Sequence, residues 1–166
     1  MGSKGATGIK EIFIGSNTEK VVRCSNVPVL VIKEPIKNFT INHLVFASDF
    51  NSAGKKSFQN VLNFAHFFNA KIHLLYVNTI HNFETTEFCV DAIDNYIADF
   101  DMPKHSVQIY NANSIEKGIL IFAKSINANA IALNTHGRSG LSQIFNGSLG
   151  VEISNHAMIP VVTFKL

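Results

Sequence analysis

The stretch 134–150, NTHGRSGLSQIFNGSLG, carries glycines at 137, 140 and 147, a serine at 148 and an arginine at 138. Glycine permits positive φ and lets backbone N–H groups approach an anion closely. Between a strand and a helix such a loop suits a phosphate. The helix start adds unsatisfied N–H donors and the positive end of its dipole, Ser148 a hydroxyl and Arg138 a charge. The spacing lacks the Gly-Lys-Ser/Thr of a P-loop and does not follow the first strand, as a dinucleotide fingerprint would. On spacing alone, glycines that only serve turns and helix caps are an equal reading. A second polar pair, Ser48-Asp49, ends the apolar run that begins at Ile41. Asp49 there either faces a ligand or caps the helix that follows. The seven histidines show no ligand spacing, and His66 and His73 fall on different elements. Asp91, Asp94, Asp99 and Asp101 read as a solvated helix face.

These groups need elements to position them. Apolar runs at 26–33, 41–50, 70–79, 105–112, 129–137 and 159–166 predict strands. Between them, 52–68, 84–100, 114–128 and roughly 141–157 predict helices. Ser52 and either Asn113 or Ser114 are candidate N-caps, and Phe88, Ala92, Ile93, Tyr96, Ile97 and Phe100 share one helical face. From residue 41 strands and helices alternate strictly, which predicts an α/β fold: a five-stranded parallel sheet sandwiched by helices, Rossmann-like. In such sheets ligands bind beyond the strand carboxyl ends, where the strand order reverses. Ser48-Asp49 and the 134–147 loop both lie at such ends.

Composition narrows the class. At 166 residues, 46% hydrophobic and 16% charged, the chain has room for one ordinary globular domain. A net charge of +2 without a Lys/Arg cluster argues against a general nucleic-acid binder. Cys24 and Cys89 fit no metal or CxxC spacing and read as free, buried or partly buried thiols in a reducing compartment. There is no signal-peptide h-region and no run near the roughly 18 apolar residues of a membrane span, so the expectation is a cytoplasmic protein without a membrane partner.

THGRSGLSQIFNGSLGVEI followed by IPVVTFKL resembles the C-terminal signature of the universal stress protein family, and VFASDF resembles that family's first strand with its Asp. The resemblance covers 41–166 and implies the adenine nucleotide alpha hydrolase-like version of the fold. It also implies an adenine nucleotide, ATP with or without Mg2+, lying across the strand ends. Ala47, Ser48 and Asp49 would face the adenine and ribose, and Val77 would pack on the base. Leu133 and Asn134 would lead into the loop. Gly137, Gly147 and Ser148 would cradle the phosphates, with Leu149 and Gly150 at the helix start. The ATP-binding motif of the family reads Gly, two residues, Gly, nine residues, Gly, then Ser or Thr; here Asn134 stands at its first Gly. No general base is evident, so slow ATP hydrolysis is the most catalysis implied. The alternative is a dimerisation or interaction domain of the same fold that binds no nucleotide.

The opening of the chain repeats the motif without that departure: Gly2, Gly5, Gly15 and Ser16 stand 132 positions before Asn134, Gly137, Gly147 and Ser148. VPVLVIK likewise precedes IPVVTFK by 132. Residues 1–35 therefore resemble the last loop, helix and strand of a preceding domain of a tandem family member, with 40–166 as a complete domain. Some thirty residues cannot bury enough surface to fold alone. Members of the family associate through their last strands, and the resemblance implies that Val29–Ile32 pairs with Val161–Phe164, on the chain's own edge strand or by exchange in a homodimer or higher homo-oligomer.

Overall fold

The computed structural model describes residues 14–135 and 149–166. In chain order the elements are α1 (Ser16–Cys24), β1 (Val29–Val31), β2 (His43–Ala47), α2 (Lys55–Phe67), β3 (Lys71–Asn78), α3 (Thr86–Ile97), β4 (His105–Asn111), α4 (Ile115–Ser125), β5 (Ala130–Thr135), α5 (Leu149–His156) and β6 (Val161–Lys165). They build one six-stranded sheet in the order β1-β6-β5-β2-β3-β4. Strands β2 to β6 are mutually parallel, as the alternation predicts. The sixth strand is β1, which adds to β6 antiparallel.

Burial on both faces explains why the central strands are continuous apolar runs rather than alternating ones. Leu44, Phe46, Ile72, Leu74, Ala130 and Ala132 pack on one face with Phe58, Val61, Ile93 and Tyr96 from α2 and α3. Val45, Ala47, Leu75, Val77, Ile131 and Leu133 pack on the other with Ile119, Phe122 and Ile153 from α4 and α5. Strand β4 lies at the sheet edge, and its residues are half-buried or exposed.

The helix starts follow side-chain chemistry. Ser114 Oγ accepts from Lys117 N (3.3 Å) and Thr85 Oγ1 from Phe88 N (3.2 Å), each satisfying an orphan donor of the first turn. The cap before α2 is Asn51, not Ser52: its Oδ1 accepts from Gly54 N (3.2 Å) in a short 3-10 turn that runs into the helix. Phe88 is exposed rather than on the buried face of α3, where Cys89, Ile93 and Tyr96 lie. The 141–148 part of the last predicted helix lies outside the described residues.

The N-terminal segment docks as the repeat suggests, on the chain's own edge strand. The register is Val29↔Thr163, Leu30↔Val162, Val31↔Val161. Leu30 and Val162 are equivalents in the 132-residue repeat, so the strand pair has a local two-fold axis through them. Helix α1 is the repeat equivalent of α5 and packs against it. Ile14, Val22, Val29, Val31 and Val151 form a third apolar cluster there, each buried side chain worth about 1.5–3 kcal/mol. Ile14 N donates to Asn155 Oδ1 (2.9 Å), Lys33 Nζ to the Asn155 carbonyl, and Lys165 Nζ to Asn26 Oδ1 (2.7 Å). Among the described residues no helix is long and apolar enough to cross a membrane.

Candidate functional site

Strand β2 sits between β3 and β5, so the chain leaves it outward in one direction and later returns on its other side. That reversal opens a crevice at the carboxyl end of β2. Two narrow clefts meet there, each with about 10 Å3 of interior space, the room of one water. One is lined by Leu75, Tyr76 and Val77 of β3, Asn82 of the following loop, and Ile115 and Ile119 of α4. The other is lined by Asn51, Gly54, Asn134 and Leu166. Ala47, Ser48 and Asp49 are the wall common to both.

The turn that presents Asp49 is strained. Phe50 has φ 52°, a left-handed conformation that costs a residue with a Cβ about 1–2 kcal/mol. Its ring compensates by burial: it stacks on Tyr76 (6.4 Å) and meets Phe46 (5.9 Å) and Tyr96 (5.3 Å) edge-on. Phe50 N donates to Ser48 Oγ (3.0 Å). Asp49 Oδ2 accepts from Asn51 Nδ2 (2.7 Å). Asn51 N donates to Asp49 Oδ1 at 3.4 Å, so Asn51 meets both carboxylate oxygens. The side-chain cap to Gly54 N is made by Asn51, and Asp49 lines both clefts. Burial, reinforced by Cys89, Glu84 and Asp49, pushes the Tyr76 phenol up to about 12, so it stays neutral.

Asn134 turns toward α2 and α3. Its Oδ1 accepts from Ser57 Oγ (3.0 Å), while its Nδ2 and the Tyr96 hydroxyl, both buried, lack a well-formed partner among the described residues. Both atoms crowd Gly54, where a Cβ would stand 2.9 Å from the Tyr96 oxygen and 3.0 Å from Asn134 Nδ2. Burial pushes the Tyr96 phenol upward, with Asn134 opposing. The side chain standing at the motif's first glycine thus ties the end of β5 to α2 while lining the second cleft.

The crevice unites Ala47, Ser48, Asp49, Val77 and Asn134. Leu133 and Leu149 instead belong to the core under α4 and α5. Gly150 allows α5 to approach β5, since a Cβ there would stand 3.0 Å from Thr135 Cγ2. Gly137, Gly147 and Ser148 lie outside the described residues. The residues that sequence reading missed are Tyr76, Asn82, Ile115 and Ile119, with Asn51, Gly54 and Leu166. Ile115 and Ile119 carry a signal, the apolar period of α4; Asn82 carries none. Gly118 lets α4 sit tightly on the cleft floor, because a Cβ there would be 2.5 Å from Val77 Cγ1.

A polar cluster that sequence spacing did not reveal lies at the opposite end of the sheet. His43 Nδ1 faces His73 Nε2 at 3.0 Å, and Ser106 Oγ meets His73 Nδ1 at 2.8 Å. Three adjacent strands supply these groups. Burial, then Lys71 and His43, lower the His73 imidazole to about 4. Among the described residues no group of three or more His, Cys, Asp or Glu could hold a metal ion. Cys24 is exposed and Cys89 buried, both free.

A mostly parallel α/β sheet with its crevice at the strand-order reversal defines a Rossmann-like protein. The universal stress protein family model matches residues 1–33 and 104–165, and the chain belongs to that family. Universal stress protein MJ0577 of Methanocaldococcus jannaschii is 61% identical over 33 residues, 20% of either chain. A universal stress protein structure from Archaeoglobus fulgidus superposes with a TM-score of 0.76 at 23% identity, covering 99% of this chain and 60% of that one. The chain therefore spans about three-fifths of that relative's length. The MJ0577 structure (TM-score 0.62, 17% identity) covers 76% of this chain and 97% of its own. A universal stress protein in complex with cAMP (TM-score 0.58, 12% identity) covers 75% and 97%.

Proposed function

We propose that this chain is a cytoplasmic stress-response module that binds an adenine nucleotide, ATP with or without Mg2+, across the carboxyl ends of its strands. The observation that carries the reading is the Ala47–Ser48–Asp49 wall, common to both clefts at the strand-order reversal. The relative solved with cAMP supports an adenine nucleotide as the ligand class. In this reading Asp49 takes the ribose end and Val77 the base. Gly137, Gly147 and Ser148 hold the phosphates, with Leu149 and Gly150 at the helix start and Leu133 behind the wall. Any metal rides on the phosphates. Catalysis is at most slow hydrolysis. Calorimetric titration with ATP tests this: one site is expected, weakened about tenfold or more by Asp49→Ala and abolished by Gly147→Val. No heat at millimolar ATP would sink it.

A second reading, an interaction domain without nucleotide, draws support from the narrowness of the clefts, whose walls must part to admit a purine. It also draws on the β1–β6 pair. In this reading residues 1–35 act as the end of a preceding domain and 40–166 as a complete one. The local two-fold through Leu30 and Val162 would let a second copy's β6 pair in the same register, if α1 and β1 were exchanged or displaced. Light scattering checks this; a strict monomer at all concentrations would remove the homo-oligomer.

A further inference from the structure

The loop after β3 crosses the mouth of the cleft that holds Val77, and a side-chain clamp holds it there. Asn78 is 3% exposed; its Nδ2 donates to the Glu84 carbonyl (3.0 Å) and its Oδ1 accepts from Glu84 N (3.2 Å). One carboxamide thus fastens both backbone polar groups of Glu84, six residues on. Inside the clamp Asn82 N donates to the Thr79 carbonyl (3.1 Å), and Thr79 and Asn82 form a β-bridge. The backbone at Asn82 is therefore held in place by hydrogen bonds on either side of it. Asn82 lines the cleft beside Ala47, Asp49 and Val77, and its carboxamide makes no hydrogen bond within the described structure.

We infer that Asn82 reads the edge of the base and selects adenine over 6-oxopurines such as guanine, an inference that rests on the nucleotide-binding reading above. A carboxamide presents one acceptor and two donors side by side. Adenine presents a donor at N6 beside an acceptor at N7, which an asparagine matches with two hydrogen bonds; guanine offers acceptors at both O6 and N7 and leaves the amide oxygen facing another oxygen. No other side chain of the cleft sets an acceptor beside a donor on two separate atoms: Asp49 only accepts, Ser48 and Tyr76 each offer a single hydroxyl, and Ala47, Leu75, Val77, Ile115 and Ile119 are apolar.

The experiment is a competition titration of ATP, GTP and inosine triphosphate against the full chain and the Asn82→Ala and Asn82→Asp variants. Inosine triphosphate carries the O6/N7 edge without guanine's amino group, so it isolates the proposed contact. The wild type is expected to prefer ATP over both others by about five- to hundredfold. Asn82→Ala should lower ATP affinity about tenfold, leave inosine triphosphate affinity unchanged and so erase the preference. Asn82→Asp, which loses the donor, should bind ATP no better than the Ala variant. Asn82 is partly exposed and its side chain unbonded, so both variants should keep the wild-type melting temperature. ATP bound by the wild type with a preference that survives Asn82→Ala would overturn the inference and leave the nucleotide reading standing. A wild type that binds no nucleotide at all would overturn both.

Discussion

Acidifying the protein should weaken it through His73, and the size of the effect follows from three contacts. His73 is 7% exposed, and its two ring nitrogens face Ser106 Oγ and His43 Nδ1. Only one proton fits between two nitrogens 3.0 Å apart, so one of the facing atoms must be bare. Lys71 adds positive charge from the same strand, and the Phe122 ring of α4 covers the imidazole edge-on (6.4 Å). The imidazole falls from 6.5 to about 4. A group depressed on folding contributes stability that is full above its unfolded value, near 6.5, and is lost as pH falls toward 4. The whole shift corresponds to about 3 kcal/mol, of which about 2 kcal/mol disappears between pH 7 and 5. Urea unfolding at both pH values, on the wild type and His73→Gln, separates this from carboxylate titration. The variant lacks the group, so its loss between pH 7 and 5 should be smaller than the wild type's by about 2 kcal/mol. Equal losses in both proteins would refute the reasoning.

Five further substitutions, at four residues, test the crevice. Phe50→Ala keeps the left-handed backbone and removes its aromatic anchor, so denaturant unfolding should show a loss of about 3–5 kcal/mol. Phe50→Gly should be more stable than Phe50→Ala by about 1 kcal/mol, reversing the usual order. Gly118→Ala drives a Cβ into Val77, and overpacking of about 1–3 kcal/mol should outweigh the helix-propensity gain of about 1 kcal/mol, with a lower melting temperature as the readout. Tyr96→Phe removes a buried hydroxyl that lacks a well-formed partner and should leave stability unchanged or raise it by up to about 1 kcal/mol. Asn134→Gly should cost about 1–2 kcal/mol through the lost Ser57 bond and glycine entropy, yet change ATP affinity less than about twofold. A tenfold gain would mean that the carboxamide obstructs the phosphates.

Much of this was legible before any coordinates. The parallel sheet followed from alternating apolar runs, because burial on both faces demands such runs wherever they lie in the chain. The resemblance implied pairing of Val29–Ile32 with Val161–Phe164, since an orphaned amphipathic helix and strand must find a surface to bury, but left open the chain's own edge or a second copy. The structure pairs Val29–Val31 with Val161–Thr163 of the same chain. Asp49 was legible only as a polar residue ending a buried strand, with a ligand or a helix cap as the two readings; that it lines both clefts came from the structure. Ser52 as a cap was off by one residue, since Asn51 has the side chain that reaches back to Gly54.

What the linear sequence could determine was local: period, caps, and the kinship of its two ends. Only the tertiary structure decided which strand neighbours which, and the remaining findings depend on that. Asn82 meets Ala47 and Asp49 because β3 lies beside β2. His43, His73 and Ser106 meet because three strands share a register at their other end. Asn134 meets Ser57 because of its parity along β5 and the placement of α2. Such contacts join residues tens of positions apart, and residue spacing carries no trace of them; they arise when the sheet closes and each side chain takes the partners its face presents.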